Sequence, residues 1–119
     1  ASSGHNQYAP MAGALPLREA IARKLARHYR RAASPDTEIT VTCGGTEALA
    51  VAIQAVVHPG DEVVLLDPAY DSYEPIVHLA GGTTRRVPLA RPGFAVDFDR
   101  LAGALSPRTR LVIVNTPHN

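Results

Sequence analysis

Tryptophan is absent from this sequence, and cysteine and lysine each occur once, as Cys43 and Lys24. A lone cysteine excludes an internal disulfide and fits a reducing compartment. No apolar run approaches the roughly 20 residues that a membrane-crossing helix needs. Residues Ala1 to His5 lack the basic region and apolar stretch of a signal peptide. Charge of one sign is also lacking: a formal net charge of +1 gives no basis for a nucleic-acid or membrane partner. The histidines (His5, His28, His58, His78 and His118) show no metal-ligand spacing with carboxylates or Cys43. A soluble, cytoplasmic protein is the expectation. The 119 residues suffice for one modest domain and not for two. The chain starts in a Ser/Gly stretch and stops just after an apolar strand pattern, which reads as truncation with no second domain.

What is present alternates between helical and strand patterns, the signature of an α/β domain with a doubly wound, mostly parallel sheet. A first helix is expected from Pro16 to Arg31, since Pro16 suits a first turn. Leu17, Ile21, Leu25 and Tyr29 recur along one face. The arginines of this helix, with Lys24, read as a solvated basic face. Strands are expected at Glu38–Thr42, Glu62–Leu66, Thr83–Pro88 and Arg110–Val114. Helices are expected at Thr46–Val57, Ser72–Ala80 and Asp97–Leu105. Asp61 and Asp71 read as turn and cap residues, Asp99 and Arg100 as surface, and Cys43 as a small buried filler.

In open parallel sheets ligands bind outside the carboxyl ends of the strands, and three such ends carry unusual residues. Gly44-Gly45-Thr46 joins a strand to a helix. Glycines there let backbone amides approach a ligand, and the helix N-terminus adds unpaired N–H groups and partial positive charge, a seat for phosphate. The spacing is neither a Walker loop nor a dinucleotide fingerprint, and alone such a turn serves structure as readily as function. Tyr70, in Asp67-Pro68-Ala69-Tyr70, could stack on a planar ring, whereas Tyr73 reads as core. Asn119 could donate a hydrogen bond to a phenolic oxygen, although alone it is only a terminal polar residue.

The combination is more specific than its parts. Gly-Gly-Thr-Glu-Ala-Leu (44–49), Gly-Asp-Glu-Val (60–63), Asp-Pro-Ala-Tyr-Asp-Ser-Tyr-Glu-Pro (67–75) and Asn-Thr-Pro-His-Asn (115–119) resemble, in order and spacing, the class I/II fold-type-I aminotransferases that use pyridoxal 5'-phosphate. Asn6-Gln7-Tyr8-Ala9-Pro10 and Leu17-Arg18-Glu19-Ala20-Ile21 add an upstream signature. Within that family the likeness is greatest to the methionine aminotransferases, related to the kynurenine/glutamine group.

The resemblance implies that the chain is part of the cofactor-binding large domain. It places the cofactor phosphate on Gly45 and Thr46, with Gly44 allowing the turn. It puts the pyridine ring against Tyr70 and the ring's phenolic oxygen near Asn119. Tyr8 would reach the cofactor phosphate of the neighbouring subunit in a homodimer. A cis peptide is expected at Asp67–Pro68. The substrates implied are an amino acid, methionine and also aromatic donors, and a 2-oxo acid, exchanged in ping-pong fashion. No catalytic residue is expected in this chain: the family's Schiff-base lysine lies beyond Asn119, and Lys24 matches no such role. Arg85, Arg86, Arg91, Arg108 and Arg110 do not match the family's carboxylate clamp. The resemblance also implies that the last three strands lie together, separated from the first by strands that this chain lacks. Rival readings are a carbon–sulfur lyase on the same fold, a non-catalytic aminotransferase-like domain of a transcription regulator, and an unrelated nucleotide-binding α/β domain.

Overall fold

A computed structural model describes residues 8–117 of the chain. It resolves into two compact units, Ala1–Ala48 and Leu49–Asn119.

Helix α1 (Leu15–Tyr29) dominates the first unit. Pro16 falls in its opening turn, where a missing N–H costs nothing. Its C-cap, Arg30, adopts the left-handed conformation (φ 53°) and donates its N–H to the Leu25 carbonyl. That closure stops the helix short of the expected Arg31. The apolar stripe is less buried than its periodicity suggests, with Leu17 48% and Tyr29 69% exposed. The buried residue of this helix is Arg18, which corrects the reading of the basic positions as uniformly solvated.

The expected strand over Glu38–Thr42 does not form among the described residues. Ile39 is buried, and the Val41 N–H donates to the Ala12 carbonyl at 3.0 Å, but no ladder extends this single bond. An extended segment becomes a strand only by pairing, and here no strand runs beside it. The sheet therefore has three strands and not four.

Helix α2 (Gly45–Val56) begins in the first unit and ends in the second, where Leu49, Ile53 and the following Val57 join the core. The second unit is a parallel sheet of β1 (Glu62–Asp67), β2 (Thr83–Pro88) and β3 (Thr109–Ile113), in the order β2-β1-β3. The central strand is buried on both faces: Val63, Val64 and Leu65 are at most 1% exposed, as a covered parallel strand requires. Tyr73, Ile76 and Val77 of α3 (Tyr73–Leu79) complete the core with Ile53 and Val57. Tyr73 is thus a core residue, as expected. Gly82 leads into β2 where a Cβ would lie 2.7 Å from Val57 Cγ1, so only glycine fits without displacement. Helix α4 (Phe98–Ala104) is capped by Asp97, whose side chain accepts from the N–H groups of Asp99 and Arg100 at 3.1 and 3.0 Å. The α/β class and the mutual adjacency of the last three strands are as expected.

Candidate functional site

In the first unit, Gly44 turns the chain into α2 with φ +92°, a region that side chains rarely adopt. Gly45 is the first residue of the helix, and Thr46 follows in its opening turn. A Cβ built on either glycine meets nothing within 4 Å, so the space in front of this helix end is open. The surrounding contacts hold the turn in shape. The Thr42 hydroxyl donates to the Gly44 carbonyl at 2.9 Å, and the Cys43 N–H donates to the Glu47 carboxylate. The Glu47 carboxylate reaches back from the first turn much as a capping-box acid does. Cys43 itself is exposed, contrary to the expected buried filler. Among the described residues no strand flanks 38–42 to cover it.

Tyr70 belongs to the second unit. It follows the carboxyl end of β1 and the Asp67–Pro68 peptide, which is cis as expected. Its ring is 42% exposed and meets Tyr73 edge-on, with centroids 5.6 Å apart and planes at 80°. The buried Tyr73 thus supports the exposed Tyr70 from below. The loop is tied down at both ends by Arg86, which donates to Asp67 and to Glu74 at 2.7 Å each. The Thr84 hydroxyl adds a 2.5 Å bond to Glu74. That bond, followed by the Arg86 guanidinium, holds the Glu74 carboxyl below the usual range.

At the same strand ends lies a cavity of about 570 Å³. Leu66, Pro68, Tyr73, Phe94, Ile113 and Val114 contribute to its largely apolar wall. Asn115 and Thr116 border it too, while Asn119 lies outside the described residues. Tyr8 is fully exposed in the first unit.

Two charged nodes went unread in the sequence. Glu62, at the start of β1 and 3% exposed, accepts from Arg85, Ser106 and Arg108. The Arg85 hydrogen bonds, then those of Ser106 and Arg108, hold its carboxyl down at about 2. Beside it, Arg110 pairs with Asp61, whose carboxyl is lowered chiefly by the His58 N–H. Four of the arginines without a clamp motif are therefore engaged in ion pairs within the domain, and Arg91 lies over the Phe94 ring at 5.7 Å. The second node is Arg18. Apolar periodicity could reveal neither, because the partners of Glu62 are distant in sequence and those of Arg18 include backbone carbonyls.

The family model for aminotransferase class I and II matches residues 1–119. The chain belongs to that family. Its members use pyridoxal phosphate and act on amino acids and 2-oxo acids. The sequence is 55% identical over 118 residues to methionine aminotransferase of Escherichia coli, covering 99% of this chain and 31% of that protein. It is 49% identical to a probable N-succinyldiaminopimelate aminotransferase of Mycobacterium tuberculosis, over 99% of this chain and 30% of the relative. Among solved structures, the Escherichia coli protein YbdL, identified with a methionine aminotransferase function, superposes with a TM-score of 0.95 at 55% identity. That match covers 99% of this chain and 31% of YbdL. A single mutant of aspartate aminotransferase of Thermus thermophilus superposes with a TM-score of 0.90 at 41% identity, over 99% and 31% of the two chains. The chain thus spans about a third of the length of these relatives. No helix among the described residues is long and apolar enough to cross a membrane.

Proposed function

We propose that the chain forms part of the large domain of a cytoplasmic, homodimeric aminotransferase. This enzyme transfers the amino group of methionine, with aromatic amino acids as further donors, to a 2-oxo acid. The observation that carries the cofactor assignment is the open glycine turn at the head of α2. A Cβ built on Gly44 or Gly45 would meet nothing within 4 Å, and the turn stands next to the positive end of a twelve-residue helix. The donor set suits a phosphate monoester, and the methionine assignment rests on the 55% identity to the Escherichia coli enzyme.

In this reading Gly44 permits the turn, and the amides of Gly45 and Thr46, with the Thr46 hydroxyl, hold the cofactor phosphate. Tyr70 offers its exposed ring to the pyridine plane, and Asn119 donates to the phenolic oxygen. Tyr8 reaches the phosphate of the neighbouring subunit's cofactor. When bound, pyridoxal phosphate supplies the conjugated ring that accepts the electron pair left as the amino acid loses its α-proton. The residues of this chain anchor and orient; the lysine that carries the cofactor and the arginine that clamps the substrate carboxylate are assigned outside residues 1–119.

The test is an assay of the intact enzyme with methionine and a 2-oxo acid acceptor. Appearance of the methionine-derived 2-oxo acid, matched by the amino acid formed from the acceptor, is the expected result. Ammonia release without amino transfer assigns a carbon–sulfur lyase instead, and no turnover of methionine in either mode overturns the donor assignment.

A further inference from the structure

Arg18 departs from the other arginines of its helix. Arg23, Arg27 and Arg30 are exposed, yet Arg18 is only 7% exposed, one of two charged residues buried among those described. A guanidinium leaves water only when its donors are matched. Here Nε donates to the Gly13 carbonyl at 3.0 Å, Nη1 donates to the Pro35 carbonyl, and Asp36 lies 3.6 Å away. One planar fork therefore joins two backbone segments to α1, which a lysine ammonium on a flexible stem would not do.

The loop so gripped is pressed against the segment that leads to the glycine turn. Gly13 has φ +93°, and a Cβ on it would lie 2.7 Å from Val41 Cβ, so the two backbones meet in close contact. The adjacent Ala12 carbonyl accepts the Val41 N–H at 3.0 Å. Gly13 N–H closes a turn onto the Pro10 carbonyl at 2.7 Å, two residues after Tyr8. From Val41 only Thr42 and Cys43 intervene before Gly44, and both are fixed by the hydrogen bonds to Gly44 and Glu47. No strand ladder holds residues 38–42. Glu38 is tied to Ser34 and Ile39 is buried, while Val41, nearest the glycine turn, is held by the Ala12 carbonyl and this contact with Gly13.

We infer that Arg18 is a positioning residue for the phosphate seat. Through Gly13 and Val41 it sets where the amides of Gly45 and Thr46 stand, without touching the ligand. This rests on the phosphate-seat reading given above. A residue that merely stabilised the fold would weaken all cofactor contacts alike, whereas a residue aiming the seat acts on the phosphate alone.

The experiment compares dissociation constants of the intact apoenzyme for pyridoxal phosphate and for pyridoxal, which lacks the phosphate, in wild type and Arg18→Lys, followed by absorbance of the bound ring. The expected result is a loss of about ten-fold for the phosphate ester, the low end of what removing an outer-shell partner costs at metal sites, with pyridoxal affinity unchanged. Equal losses for both ligands, or an unchanged ratio, overturn the role of Arg18. A wild-type enzyme that holds pyridoxal as tightly as its phosphate ester overturns the seat itself. If Arg18→Lys does not fold, Asp36→Asn carries the test, because it loosens the same guanidinium from an exposed position. A phosphate-selective loss there supports the inference, and an unchanged ratio ends it.

Discussion

Arg85 grips Glu62 with both arms of its guanidinium, Nε donating to one carboxylate oxygen at 2.6 Å and Nη2 to the other at 3.0 Å. Arg108 and Ser106 add their donors, so a nearly buried carboxylate stands at the start of the central strand with its lone pairs occupied. Its pKa is held at about 2, below the ordinary 4.5 that the unfolded chain would show. The unfolded state therefore takes up the proton first. The stability that Glu62 contributes is present above pH 4.5 and is lost as the pH falls from there toward 2. Asp61 and Glu74, also lowered, act in the same direction. Urea midpoints measured across pH 7 to 2 should fall in this window. Glu62→Gln should lower the midpoint at pH 7, leaving two guanidinium groups short of a partner, and should flatten the decline. An equally steep decline in the variant would show that other carboxylates govern acid unfolding.

The core makes a contrast between two leucines. Leu65 is 1% exposed on β1, whereas Leu79 at the end of α3 is 82% exposed. Leu65→Ala should cost about 2–5 kcal/mol through lost burial and a residual cavity. Leu79→Ala should stay within about 0.5 kcal/mol of wild type. Denaturant unfolding of both variants checks the burial directly.

Gly45 separates stability from cofactor binding. An alanine there meets nothing within 4 Å, and the position has no positive φ. The helix should lose nothing from the change and gain a little, since alanine has less conformational freedom to lose on folding than glycine. The new methyl group, however, occupies the space assigned to phosphate. Gly45→Ala should therefore unfold at an equal or higher midpoint while binding pyridoxal phosphate more weakly. Unchanged affinity would remove Gly45 from the phosphate seat.

Tyr70 should act through its ring and not its hydroxyl. Stacking contributes about 0.5–1.5 kcal/mol beyond area burial, equivalent to roughly two- to ten-fold in affinity. Tyr70→Ala should show at least that loss of cofactor affinity, and Tyr70→Phe should recover most of it. A phenylalanine variant as weak as the alanine variant would move the role to the hydroxyl.

Local pattern made much of this domain legible. The continuous apolar run at 62–66 and the turn residues around it marked the central strand, and the Gly-Gly pair ahead of a helical pattern marked the turn at Gly44. The family motif carried the cis peptide at Pro68, and the positions of the two tyrosines, in the loop and on the helix, marked Tyr70 as the more exposed and Tyr73 as core. What escaped was non-local. By pattern Glu62 reads as the first residue of an apolar strand, because its partners Arg85 and Arg108 stand 23 and 46 residues away. By pattern Arg18 belongs to the solvated face, because its acceptors are backbone carbonyls that no residue pattern encodes. Residues 38–42 have the composition of a strand, but a ladder needs a neighbour, and composition does not say whether one is present.

The bracket that Arg86 makes between Asp67 and Glu74 closes the short excursion carrying Tyr70 into a loop with a fixed base. A ligand ring settling on Tyr70 would meet a surface that is already oriented, so little backbone freedom is left to lose on binding. Cutting either end of that bracket should therefore loosen the aromatic platform before it harms the sheet beneath, and the loss would appear as slower, weaker ring capture in a domain that still folds.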